Sequence, residues 1–395
     1  MLGQAADRGT GHHALRALPA LLGLGLLALC SVTTPIARAG EGEATTARIS
    51  ARIAALPAPV SADGRSTATA MPLGNRPYSA SSPFNEPVPA SAALAPESAA
   101  MVRSLEAGAA LKGFVLTVGE WTVPTYVAGP TTPRQTVTLR KAPPAWNEAP
   151  DYQGFPPGWS SSLSTPLPGQ LQGVPIPSGA RPDPSLDAHM TILDPAGGCE
   201  FDLYGAHRTA TGWQAVWGNS TRIGGSGVYP AGMGPTAAGF AGNAGLIWPR
   251  ELAAGRIEHA LLFAYPFTKQ GGPVWPATSS DGRTTSAGAI PEGTRVRLNP
   301  ELNLDSLGLA PYQRTIAAAL QKYGMILGDT GGAMGLFAVG EQSFSGREPY
   351  PMLPRGSFPD LGAIPVSQFQ VIASPPQTPK PNLQLQESGC GSFGR

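Results

Sequence analysis

Three kinds of side chain in this sequence are suited to chemistry: a few histidines, a set of acids in or beside apolar β-like runs, and tryptophans followed by proline. Histidine titrates near neutrality and serves as general acid, general base or metal ligand. His12 and His13 lie in the N-terminal tract, leaving His189, His207 and His259 for the body of the chain. Strand alternation groups His189 with Thr191 and Leu193, and His259 with Ile257, Leu261 and Phe263. An imidazole on an apolar face needs a partner, so each is either a hydrogen-bonded core residue or part of a cleft. Asp187, Asp194, Glu200, Asp202, Glu258 and Asp329 are the acids in or beside the same runs. Spacing leaves open which of them meet; His189, His259, Asp329 and Asp194 form the candidate catalytic set.

Asp329 stands out within "KYGMILGDTGGAMGLF", residues 322–337, where one apolar run enters a glycine-rich turn and a second follows at once. An aspartate there has two uses, bonding the amides of its own turn or facing a cleft. Trp217, Trp248 and Trp275 are the candidate ligand-binding aromatics, the last two as "IWPRE" and "VWPAT". A tryptophan ring at a strand end either packs in the core or offers an apolar face to a sugar. Arg250 and Lys269 supply positive charge for the same rim.

Several classes of function are excluded. The sequence holds no phosphate loop of the G-x-x-x-x-G-K type, no H-E-x-x-H and no C-x-x-C. "GNSTRIGGSGVYP" lacks the lysine and following helix of a phosphate site, and Tyr229 and Pro230 stop Ser226 from sitting on a strand-to-helix nucleophile elbow. The formal charge is +1 with 13% charged residues, so no basic stripe follows a nucleic acid backbone. No cofactor is expected, and no metal-ligand spacing is evident.

These residues need a scaffold, and 50 glycines and 43 prolines beside a 42% apolar fraction predict short strands joined by many turns around a real core. "GFVLTVGEWTVPTYVA", "QTVTLRKA", "DAHMTILDP", "CEFDLYGAHR", "GWQAVWGN", "RIEHALLFAYPF", "GTRVRLN", "GMILGD" and "MGLFAVG" read as strands, with "DPAGG" as a hairpin turn. A short helix is predicted over Pro96–Leu105, and "APYQRTIAAALQKYG" is helical, with Pro311 in its first turn and Gly324 as its stop. The fold class expected is mainly β, an antiparallel β-sandwich or jelly roll with one or two helices. Residues 40–75 read as a flexible N-terminal arm, 76–345 as one β-rich domain with a long proline-rich and aromatic loop at 143–184, and 346–395 as a proline-rich tail packed on the surface.

The first 39 residues read as a signal peptide: a basic start with Arg8 and Arg16, a leucine-rich run, and "ARA" ending at Ala39. Leu29 before Cys30 breaks the lipid-attachment pattern, and the apolar run is short for a membrane span. A secreted, monomeric protein without stable membrane insertion is expected. Cys199 and Cys390 then remain, and an even count in an oxidising compartment predicts that they are bonded.

"HMTILDPAGGCEFDLY", "GRIEHALLFAYPFT", "VWPAT" and "LQKYGMILGDTGG", in that order, resemble a family of uncharacterised secreted bacterial proteins frequent in actinobacteria. The resemblance spans roughly residues 80–345 and implies secretion and a single domain. It implies no activity, so the roles above rest on the residues themselves. Together they lead to an expectation of a carbohydrate-active protein, a glycoside hydrolase or polysaccharide lyase using acid–base catalysis on extracellular or cell-wall glycan. The alternative is a non-catalytic glycan-binding or structural envelope module.

Overall fold

The structure, a computed structural model, describes residues 74, 76–139, 170–230, 233–345, 349–375 and 390. Residues 1–39, nearly all of 40–75, the first part of the 143–184 segment and most of the chain beyond residue 375 lie outside the described residues.

Among the described residues the chain is mainly β, with fourteen strands in three sheets. The first sheet has six: β1 (Phe114–Thr117), β13 (Met334–Phe337), β10 (Leu261–Tyr265), β12 (Met325–Thr330), β11 (Arg295–Leu298) and β14 (Phe369–Val371), in that spatial order. The second runs β2 (Thr125–Val127), β5 (Met190–Asp194), β6 (Cys199–Tyr204), β9 (Trp217–Arg222). The third runs β4 (Gln170–Pro175), β3 (Arg134–Leu139), β8 (Gly212–Ala215), β7 (His207–Thr209). Pairing is mixed: β1–β13, β10–β12, β2–β5 and β3–β8 are parallel and the other pairs antiparallel.

Helices cover one face of the first sheet. α1 (Ser98–Lys112) and α3 (Pro311–Lys322) bury Met101, Leu105, Ile316 and Leu320 in one core with Leu261, Phe263, Met325 and Leu327. Those strand residues recur every second position, so their neighbours Leu262 and Ile326 emerge on the opposite face, against Phe84 and Phe240. The third helix, α2 (Pro249–Ala253), is short. The second and third sheets share another core, in which Ile192, Phe201 and Leu203 meet Val137, Leu171 and Trp213. "DPAGG" forms the β5–β6 turn as expected, with Asp194 opposite Cys199.

Three boundaries differ from the sequence reading. The helix predicted at Pro96–Leu105 spans Ser98–Lys112, because alanine-rich sequence carries it to Gly113, where φ is +91°. The predicted loop 143–184 contains β4, whose Leu171, Val174 and Pro175 are buried by pairing with β3. The tail contributes β14, an edge strand that places Phe369 and Val371 in the first core. Its prolines flank this three-residue strand instead of interrupting it, which is how proline coexists with a sheet edge.

Candidate functional site

Asp329 is aimed by a bulge. Along the parallel β10–β12 pair, Leu327 lies opposite Phe263 but Asp329 lies opposite Ala264, so Gly328 is an extra residue. A Cβ on Gly328 would stand 2.3 Å from Leu262 Cδ1, so glycine is the residue that fits. Beyond the bulge, one Asp329 oxygen accepts the Thr330 amide at 2.9 Å. The same carboxylate faces two other acids, Asp281 and Glu292, while neither His189 nor His259 bonds to it.

Those acids come from the connection between β10 and β11, residues 266–294. Asp281 and Glu292 each place a carboxylate oxygen so that these and one from Asp329 all lie within 4.8 Å of one another. Asp281 and Asp329 are half-buried, whereas Glu292 is 0% exposed. The Thr330 hydroxyl donates to Asp281 at 2.5 Å. Neither Glu292 oxygen makes a hydrogen bond of normal geometry, although the Ser280 and Asp281 side chains approach closely enough to act as weak partners. Burial, then the charges of Asp281 and Asp329, push the Glu292 carboxyl well above the usual range. Burial, then Asp281 and Asp187, do the same to Asp329.

The connection also carries Trp275 and Lys269, both exposed, the tryptophan at 44%. Val274 donates its amide to the Glu292 carbonyl at 2.8 Å, which ties the Trp275 turn to the acid cluster. Beside Trp275 is a shallow cavity of about 120 Å³, with Glu86, Pro87 and Arg295 on its walls. The Arg295 guanidinium donates to the Glu86 and Tyr323 carbonyls at 2.7 and 3.0 Å, which fixes it as part of that wall.

His189 is half-buried, edge-on to Tyr204 at 5.1 Å. The Tyr204 hydroxyl donates to Asp187 at 3.1 Å. The His189 charge acts on buried Asp183, which accepts the Trp121, Thr122 and Ser185 amides.

The other candidates lie elsewhere. His259 is 0% exposed; its Nδ1 donates to the Ala260 carbonyl at 2.9 Å and its Nε2 lies 3.1 and 3.3 Å from the two oxygens of buried Glu251. The nearer oxygen, Oε1, is poorly aligned; Oε2 has hydrogen-bond geometry and also accepts the Trp248 amide at 2.9 Å. Burial lowers the His259 pKa, but the Glu251 charge and the hydrogen bonds outweigh it and leave it raised. Asp194 is buried in an ion pair with Arg134 at 2.6 Å and accepts the Gly197 amide, so it closes the β5–β6 turn. Trp217 and Trp248 are core residues, 1% and 0% exposed, the first against Tyr229, the second against Phe344. Neither ring is available to a sugar, because both fill space between the layers. Arg250 is exposed on α2. Cys199 and Cys390 are bonded, with Cα atoms 5.4 Å apart.

A second group of acids was visible in sequence without its partners. Glu200 and Asp202 point to the same face of β6, fully buried. Glu200 accepts from Tyr78 and the Asn243 amide; Asp202 accepts from Thr191, Tyr229 and the Gly242 amide, at 2.6–3.1 Å. Burial raises both carboxyls. With every oxygen engaged and no exposure, this network joins the layers and has no room for a substrate. Asp281 and Glu292 escaped sequence reading because their spacing from Asp329 has no local period; only the bulge and the fold of the connection bring them together.

No family model, curated protein or solved structure matches this chain.

Proposed function

We propose that this protein is exported and binds extracellular or cell-wall glycan, with the β10–β11 connection and the end of β12 as its working surface. One observation carries the reading: a single connection presents the exposed Trp275 ring and two of the three carboxyl groups that meet at Asp329. A flat ring packs against the C–H face of a sugar, and carboxylates accept from its hydroxyls. The cavity beside Trp275 adds Glu86 and Arg295 to that polar set. Export is supported by the basic start, apolar run and "ARA" of the first 39 residues.

A second reading, hydrolysis, draws on the convergence of the carboxyl groups. Glycosidases work with a pair of carboxyl groups flanking the scissile bond, and Asp281 and Asp329 each place an oxygen within 4.8 Å of the other. Asp329, its pKa raised by burial, would give the proton and Asp281 would attack.

A glycan array, with parallel assays for reducing ends and unsaturated products, tests both. Binding that is lost in Trp275→Ala, without product, supports the first reading. Product formation lost in both Asp281→Asn and Asp329→Asn supports the second. Absence of binding and product across cell-wall and environmental glycans rejects the carbohydrate assignment.

A further inference from the structure

We propose that Asp281, Glu292 and Asp329 together bind one divalent cation, Ca²⁺ in the first instance. Three carboxylate oxygens within 4.8 Å of one another satisfy the span of a single ion, since ligands at about 2.4 Å on opposite sides of Ca²⁺ stand about 4.8 Å apart. Convergence of acids alone would be unremarkable on a protein surface. Glu292 is different: it is 0% exposed, neither of its oxygens makes a hydrogen bond of normal geometry, with only the Ser280 and Asp281 side chains close by, and it extends toward the other two acids. A buried carboxylate without a partner costs several kcal/mol, and the nearest charges acting on it, those of Asp281 and Asp329, are negative. A divalent cation at the point where the three converge removes both penalties at once.

The arrangement also selects the kind of cation. All donors are carboxylate oxygens, with the Thr330 hydroxyl bonded to Asp281 nearby, and no cysteine or histidine is part of the group. Hard oxygen sets suit Ca²⁺, Mg²⁺ and Mn²⁺ over zinc. Half-buried Asp281 and Asp329 leave one side open, where water or a ligand hydroxyl completes a coordination number of about 6–8 for Ca²⁺. Two of the three ligands sit on the β10–β11 connection and the third on the bulged end of β12, so the ion would clamp that connection to the sheet.

This inference stands apart from the glycan reading, because the probe is the metal alone. The chelator-treated full-length mature chain is titrated calorimetrically with CaCl₂, and separately with MgCl₂ and MnCl₂, and its melting is followed with and without CaCl₂. Binding of one Ca²⁺ per chain is expected, with a dissociation constant on the order of 10⁻⁴–10⁻³ M as in extracellular modules, together with a rise in melting temperature. Glu292→Gln, which keeps shape and removes the buried charge, should fold, melt higher than the wild type in chelator and lose the calcium response. Asp329→Asn, at a half-buried position, should weaken binding at least tenfold and guards against a folding defect in the first variant. No binding of any of the three ions would overturn the proposal and leave Glu292 as a protonated buried acid. A calcium response that survives in both variants would overturn it equally, by placing the ion elsewhere.

Discussion

Replacing Glu251 by glutamine tests whether His259 is held as a structural cation. Both partners are buried, at 0% and 4% exposure, with His259 Nε2 3.1 Å from the nearer Glu251 oxygen. Removing one member of a buried pair costs about 3–5 kcal/mol. The loss here belongs at the lower end, about 3 kcal/mol, because His259 can release its proton. Glutamine still accepts the Trp248 amide, so the cap of α2 survives. At about 2 °C per kcal/mol for a domain of this size, melting should fall by about 6 °C. The pH dependence identifies the cause. The folded pKa of His259 is raised above its unfolded value, so the pair's contribution is fully present below about pH 6.5 and is lost as pH rises through the folded pKa. The gap between wild type and Glu251→Gln should therefore be widest in mild acid and narrow with rising pH, measured by calorimetric or fluorescence melting across that range. As a control, Asp305→Asn breaks the exposed Arg314–Asp305 pair and should change stability by under about 1 kcal/mol. A Glu251→Gln protein melting within a degree of wild type in mild acid, or a gap independent of pH, would refute this account.

Three further outcomes follow from the packing. Gly242→Ala would put a methyl 2.0 Å from the Thr191 hydroxyl and 2.4 Å from an Asp202 oxygen, so it should cost at least the 1–3 kcal/mol of an overpacked core, read by urea unfolding. Glu200→Gln, which removes an acid whose folded pKa is raised, should gain stability relative to wild type as pH climbs above about 4.3, the unfolded glutamate value; parallel melts that stay a constant distance apart would count against a protonated Glu200. Cys390→Ser opens a loop with a sequence separation of 191 residues, for which the chain-entropy estimate is about 5 kcal/mol, and a loss under about 1 kcal/mol in chemical denaturation would show that the bond leaves the unfolded chain unconstrained.

Sequence alone determined most of the strand runs, though not β4 or β14, together with the helix at Pro311–Lys322, the β5–β6 turn and the pairing of the two cysteines, because each depends on local period, turn chemistry or a single available partner. It also marked Asp329 as a residue with two uses. Which acids and aromatics work together was a tertiary matter. Trp248 carries the same sequence signal as Trp275, a tryptophan followed by proline, yet one is interior and the other exposed, since the difference lies in which layer covers the ring. His189 and His259 sit alike in apolar runs, but only His259 is closed over, by Glu251 across a helix cap eight residues away. Asp281 and Glu292 had no local pattern at all. Their meeting with Asp329 depends on one bulged glycine and a long connection folded back over the sheet, and no periodic reading of a chain records a contact of that kind.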